Sequence, residues 1–225
     1  MKPMEEQHFA ILRRHMVEVI AIHADLMSDE LGHVPLDRRV LAAMERVPRH
    51  HFVPLELAAV AYHDGPLPIG FDKTISQPFI CALMTHLLAP EPDQVVLEVG
   101  TGLGYQAAVL AELAAQVWSV EIVEELAGEA QSRLRRLGTS RVGIRIGDGS
   151  RGWAEHAPYD RIMVTAAAAR PPMALLDQLR PGGHLVMPLG PDQAQILTVI
   201  DKDATGRLQA REILPVRFSR LETVL

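Results

Sequence analysis

Two rhythms of apolar residues divide the chain. Phe9, Leu12, Met16, Val19 and Ile20 recur at spacings of three and four, which predicts an amphipathic helix near the N-terminus. A second helix is predicted from Asp37, as N-cap, to about Val47, where Pro48 stops it. Residues 62–78 are rich in glycine and proline and read as a loop. Pro78 then opens a third helix that reaches Leu88. From residue 95 the rhythm changes to short apolar runs separated by helical segments. Strands are predicted at 95–99, 116–121, 142–146 and 159–165, with helices over 105–114 and 123–137, the second closed by Gly138. A short helix over 173–179 ends at Pro181-Gly182-Gly183, and strands follow at 184–189, 195–200 and 212–218. This alternation predicts an α/β fold: a doubly wound, mostly parallel sheet with helices on both faces, preceded by an N-terminal helical addition.

Composition narrows the classes. The 225 residues are 48% hydrophobic and 22% charged, which suits a large core and not disorder. One compact unit is expected, with residues 1–78 supplying helices and a loop and 79–225 the α/β core. The net charge of −6 argues against generic binding to nucleic acid. No run of 18 apolar residues spans a membrane, and the first residues lack a secretory apolar core, so a cytoplasmic address is expected. Cys81 is the single cysteine, so no internal disulfide or Cys-rich zinc site can form. His50, His51 and His63 lack metal-ligand spacing, and no metal is expected. The glycines near Gly65 and Gly70 lack the following lysine of a phosphate loop, and Asp148-Gly149-Ser150 lacks the first glycine of a nucleophile elbow.

The sharpest chemical signal is Glu98-Val-Gly100-Thr101-Gly102-Leu-Gly104, between a predicted strand and helix. Glycines there let the backbone turn tightly and approach a ligand. A dinucleotide fingerprint needs a glycine where Tyr105 stands, so a nicotinamide or flavin loses support. Glu98 beside a pyrophosphate would repel it, whereas beside a cationic ligand its charge helps. Glu121, at the end of the next strand, can accept hydrogen bonds from ribose hydroxyls. Asp148, between Gly147 and Gly149, can accept from the exocyclic amine of adenine. Three such points at the ends of adjacent parallel strands describe a nucleoside with a positive, phosphate-free tail, which fits S-adenosylmethionine. The alternative reading makes Glu121 and Asp148 helix caps or solvated loop acids.

These residues look like a class I S-adenosylmethionine-dependent methyltransferase, with the Rossmann-like fold of that class. Over roughly Arg38 to Phe218 the sequence resembles the protein-L-isoaspartate O-methyltransferase family. The matching runs are Val47–Val53, Leu67-Pro-Ile-Gly70, Thr74-Ile-Ser-Gln-Pro78, Glu98–Tyr105, Gly147-Asp-Gly149, Ala157–Asp160 and Leu179–Gly183. The resemblance implies methylation of the free α-carboxylate of L-isoaspartyl residues in damaged proteins. Ser76 is implied as the catalytic residue. The cofactor residues are expected to be Thr74, Ile75, Glu98, Gly100, Thr101, Gly102, Gly104, Glu121, Ile122, Asp148 and Gly149. Leu67, Pro68, Ile69, Val216 and Phe218 are expected to line the peptide slot. A carboxylate needs no general base at neutral pH, so Ser76 would orient it by donating a hydrogen bond. Ser76 is equally suited to cap the helix that follows. Two departures stand out. The chain reads Ser219-Arg220-Leu221 after Phe218 where the family has a valine-proline-leucine end. The Asp25–Pro35 link is also longer and more acidic than usual. The first leaves a related carboxyl methyltransferase, acting on an aspartate or another carboxylate, as an alternative. A cofactor-binding interaction protein without catalysis is the third.

Overall fold

The computed structural model describes residues 4–29, 32 and 35–224. The N-terminal pattern folds as expected. Helix α1 (Glu6–Leu26) buries Phe9, Met16, Ile20 and Ala24 along one stripe. Of the acidic link, Asp25 belongs to this helix, and residues 30, 31, 33 and 34 lie outside the described residues. Helix α2 (Arg38–Arg46) starts at Asp37, whose side chain accepts from the Arg39 amide at 2.7 Å. Two 3-10 turns follow, at Arg49–Phe52 and Leu55–Val60.

The predicted loop contains a hairpin. Strands β1 (Leu67–Gly70) and β2 (Lys73–Ile75) pair antiparallel around Phe71 and Asp72, both at positive φ. A two-residue loop with both φ values positive matches the twist of paired strands. Phe-Asp is not the usual sequence for it, and Pro68 reads against a strand, so the pattern hid the hairpin. Helix α3 (Pro78–Leu88) then runs as predicted, with proline in its first turn.

The second half alternates as read. Strand β3 (Val95–Val99), helix α4 (Tyr105–Ala111), β4 (Gln116–Glu121), α5 (Glu124–Arg136), β5 (Val142–Ile146), β6 (Tyr159–Val164), α6 (Met173–Gln178), β7 (Leu179–Leu189), β8 (Gln195–Lys202) and β9 (Leu208–Val216) follow in order. The strand order is β5-β4-β3-β6-β7-β8-β9; the first five are parallel, β8 runs antiparallel to β7, and β9 antiparallel to β8. The chain order reverses between β3 and β6, which opens a crevice above the carboxyl ends of these strands.

Two irregularities differ from the predicted pattern. Pro181–Gly183 do not separate helix from strand. They bulge within β7, because Leu179 pairs with Tyr159 and His184 with Arg161. A Cβ on Gly183 would meet the Asp160 carbonyl at 2.8 Å, so only glycine fits the close approach. In β9, Leu214 pairs with Leu197 and Glu212 with Thr198, which leaves Ile213 as an extra residue.

One apolar cluster joins α1, α2 and α3 to α4, α5 and one face of the sheet, from Phe9 to Leu214. A second, built from Leu97, Val120, Ile162, Leu185 and their neighbours, packs with Leu175 and Leu176 of α6 on the other face. Burying such side chains contributes about 1.5–3 kcal/mol each, which sets the scaffold beneath the crevice.

Candidate active site

The crevice over β3, β4 and β6 encloses about 520 Å³. Its floor is the turn after β3. Gly100 sits at φ +96, and a Cβ there would fall 2.3 Å from Thr165 Oγ1. Thr165 follows β6 and donates toward the carbonyls of Gly100 (2.8 Å) and Val99 (3.1 Å), so it pins the turn from the neighbouring strand. On the other side, the Glu121 carboxylate accepts from the Gly102 amide at 2.8 Å and the Val123 amide at 3.0 Å. Each oxygen holds one backbone donor and keeps a lone pair for a ligand. Glu121 and Ile122 line the crevice together with Gly149, whose added Cβ would strike Val99 at 2.3 Å. These features form a cradle of backbone and one fixed carboxylate. They fit an uncharged ribose and a base, with the apolar side chains of Ile122 and Leu126 as wall.

The acceptor side comes from the hairpin and α3. Thr74, Ser76 and Ile69 line the crevice, opposite Val216 at the end of β9 and Phe218 just beyond it. An adjoining cavity of about 60 Å³ also touches Thr74, Ser76 and Gly100 and adds Ile75 and Thr101. Ser76 does not cap α3. The cap position is Gln77, and the first-turn amide of Phe79 is satisfied by Asp64 Oδ1 at 2.9 Å from outside the helix. Among the described residues the Ser76 hydroxyl has no hydrogen-bond partner, so the capping role goes to Asp64 and the hydroxyl faces the crevice free.

Five expected site residues stand outside the lining, each for a physical reason. Glu98 is fully buried beneath the turn and accepts from Ser119, which also shares a hydrogen bond with Thr101. Burial pushes its carboxyl up to about 8; the Ser119 bond offsets part of this and the Glu121 charge adds to it. Burial thus favours the neutral form of Glu98, against the negative charge that the sequence argument gave it. Gly104 is the N-cap of α4 and packs against α5, where a Cβ would meet Ala130 at 3.3 Å and Leu134 at 3.4 Å. Asp148 caps the 3-10 turn at 149–151: Oδ1 accepts from the Ser150 amide and hydroxyl, and Oδ2 accepts from the Val224 amide. Burial opposes its ionisation, but these bonds and Arg151 hold the carboxyl below the usual range. Leu67 packs on the main core, and Pro68, its neighbour on the pleat, points to solvent.

The sequence also missed residues. Thr165 could have been found, because it ends the strand beside β3 at the switch point. The segment Arg217–Glu222 is only partly legible: Phe218 is expected in the slot and Ser219-Arg220-Leu221 stands out as a departure, but nothing in the sequence announces Arg217, Glu222 or their neighbours across the crevice. It crosses the mouth of the crevice, where Ser219 and Leu221 bond to the backbone of Ala167 and Glu222 pairs with Lys73 of the hairpin. Histidines 50 and 51 do approach each other and Glu6 closely enough to hold an ion, away from the crevice, which the spacing did not suggest.

Comparison with known proteins agrees with this geometry. The family model for protein-L-isoaspartate(D-aspartate) O-methyltransferase matches residues 23–223. A protein-L-isoaspartate O-methyltransferase 1 of Polaromonas sp. is 53% identical over 219 residues, covering 97% of this chain and 93% of the relative. A protein-L-isoaspartate O-methyltransferase 2 of Syntrophobacter fumaroxidans is 52% identical, covering 93% and 85%. A solved protein-L-isoaspartate O-methyltransferase superposes with a TM-score of 0.78 at 27% identity, covering 92% of this chain and 65% of the other. A Plasmodium falciparum structure, in complex with S-adenosyl-L-homocysteine, shares the fold with a TM-score of 0.76 at 23% identity, covering 93% and 98%. With a family match over most of its length and relatives at half identity, this chain belongs to the protein-L-isoaspartate(D-aspartate) O-methyltransferase family.

Proposed function

We propose that the protein transfers the methyl group of S-adenosylmethionine to the free α-carboxylate of L-isoaspartyl residues in damaged proteins. The observation that carries the reading is the unengaged Ser76 hydroxyl at the junction of the crevice with the hairpin. When bound, S-adenosylmethionine supplies an electrophilic methyl. Glu121 holds the ribose with its spare lone pairs, Ile122 and Leu126 pack the base, and the Gly100–Gly102 backbone follows the tail. Gly149, with no side chain, lets its own backbone pack directly on Val99 at the edge of the crevice. Ser76 donates to the acceptor carboxylate and fixes which oxygen faces the crevice. Ile69, Val216 and Phe218 exclude water and hold the peptide. No side chain needs to take a proton, because the carboxylate is ionised at neutral pH. No metal enters this scheme.

Neighbourhood and partners follow from the same reading. The substrates are damaged proteins or peptides carrying isoaspartate, met in the cytoplasm. Burial pushes the Cys81 thiol up to about 11, so the single cysteine stays protonated and unreactive. Among the described residues no helix is long and apolar enough to cross a membrane.

A second reading, methylation of an ordinary aspartate or another carboxylate, is favoured by one observation. The unusual Ser219-Arg220-Leu221 stretch forms part of the crevice mouth. Radiolabelled methyl transfer to an L-isoaspartyl peptide and to its L-aspartyl twin separates the two. The aspartyl carboxylate sits one methylene further from the main chain, a shift of about an ångström that costs on the order of 10²-fold in alignment. Preference for the isoaspartyl peptide by that order is expected. Equal methylation, or preference for the aspartyl peptide, overturns the repair reading.

A further inference from the structure

Charged side chains that the proposed chemistry does not use grip the Ser76 segment from both sides. Asp64 takes one side, accepting from the Phe79 amide and from Gln77 Nε2, both at 2.9 Å. Arg49 takes the other. It stands on the 3-10 turn at Arg49–Phe52 and is completely buried. Its Nη2 donates to the Ser76 carbonyl at 2.7 Å, and its Nε donates to the Ala61 carbonyl at 2.8 Å. The guanidinium carbon lies 4.8 Å from the centre of the Tyr105 ring. Tyr105 is the first residue of α4, directly after the glycine turn.

A guanidinium this deep is ordinarily paired with a carboxylate. Arg49 has none within ion-pair distance among the described residues, and its Nη1 is left without any partner. Two carbonyls and a ring leave a buried cation poorly compensated, so stability alone does not account for it. What the three contacts share is position. They connect the acceptor segment, the end of the 55–61 stretch and the start of the cofactor-side helix through one rigid plane.

We propose that Arg49 is a positioning residue for the acceptor site, setting the Ser76 peptide plane relative to the glycine turn. The proposal rests on the reading of Ser76 as the residue that orients the acceptor. Fixing the Ser76 carbonyl fixes the direction in which its side chain leaves the backbone. The face of the same guanidinium rests on Tyr105, so donor and acceptor sides are registered against each other. A lysine keeps the charge but cannot hold two carbonyls and a ring at once. A displacement of about an ångström in such a site lowers turnover by on the order of 10²-fold.

The test compares wild type with Arg49→Lys and Arg49→Gln. Steady-state kinetics on an isoaspartyl peptide, calorimetry with S-adenosylhomocysteine and hydrogen–deuterium exchange over residues 74–79 are the readouts. Arg49→Lys is expected to lose kcat by on the order of 10²-fold, with KM and cofactor affinity nearly unchanged and with faster exchange over 74–79. Full kcat, or kcat falling in step with cofactor affinity, or unchanged exchange, overturns the proposal. If Arg49→Gln does not fold, the lysine variant carries the comparison. Wild-type protein silent on isoaspartyl peptides overturns the functional reading instead. Exchange over 74–79 then decides alone whether Arg49 holds the segment, and an unchanged rate overturns that as well.

Discussion

Replacing Glu98 with glutamine tests whether the carboxyl beneath the glycine turn carries a charge. Glu98 is completely buried, Ser119 donates to its Oε2, and its Oε1 has no partner. Burial raises its pKa from the ordinary 4.5 to about 8. The folded protein therefore binds this proton more tightly than the unfolded chain does. Its stabilising effect is complete below about pH 4.5 and is lost as the pH rises to about 8. With that direction, the group removes stability on the order of a few kcal/mol between pH 5 and pH 8. Glutamine cannot titrate, yet it keeps an oxygen for Ser119. Urea unfolding of wild type and Glu98→Gln at several pH values isolates the effect as a difference of two curves. Relative to the variant, wild type should weaken by on the order of a few kcal/mol over that range and run parallel to it at higher pH. A difference that stays constant with pH refutes the reasoning. It would mean that Glu98 is ionised in the folded protein and can place a negative charge beside a cationic ligand.

Gly100→Ala should abolish binding of S-adenosylhomocysteine by calorimetry while the protein remains folded by circular dichroism. The new Cβ must displace Thr165, which it would meet at 2.3 Å, at a φ that alanine rarely adopts. Unchanged affinity would remove the crevice assignment. Ser76→Ala should lower kcat by 10-fold or more, about 1.4 kcal/mol or above for a hydrogen bond to a charged group, and leave cofactor affinity intact. Parallel loss of both, or full turnover, would show that the hydroxyl does not orient the acceptor.

Much of the scaffold was legible because strand and helix periods leave different marks. Each parallel strand from β3 to β6 was placed within a residue, and Asp37 and Pro78 marked helix starts by their own chemistry. The floor of the site was equally legible, since Gly100 and Glu121 are fixed by local sequence at the ends of adjacent strands. What stayed hidden depends on partners distant in sequence. The Asp148 carboxylate is claimed by Ser150 and by Val224, and no local pattern announces the second of these. Glu98 is pushed toward its neutral form by burial, a property of the whole fold. Ser76 suited a cap and an acceptor-orienting role equally, and the choice depends on Asp64, which takes the capping role from twelve positions upstream, across the hairpin. The hairpin itself was missed because its turn, Phe71-Asp72, adopts positive φ without glycine or asparagine at its first position.

The extra residue at Ile213 bears on how this family member could change over evolutionary time. Ile213 and Leu214 both turn inward, and from there the alternation resumes with Val216 and Phe218 against the core while Pro215 and Arg217 are exposed at the crevice mouth. Leu197 and Thr198, the partners of Leu214 and Glu212, are adjacent on β8, so the extra residue is absorbed locally and the pairing on either side keeps its register. Losing the codon for Ile213 would leave Val216 opposite Gln195, with the wall intact. A one-residue slip moves every side chain beyond it to the opposite face. Losing the codon for Pro215 would thus bring Arg217 into the inward place of Val216. Shortening is tolerated at the bulge and rebuilds the wall two positions later, which makes 213 the place where this strand can change length and keep its peptide slot.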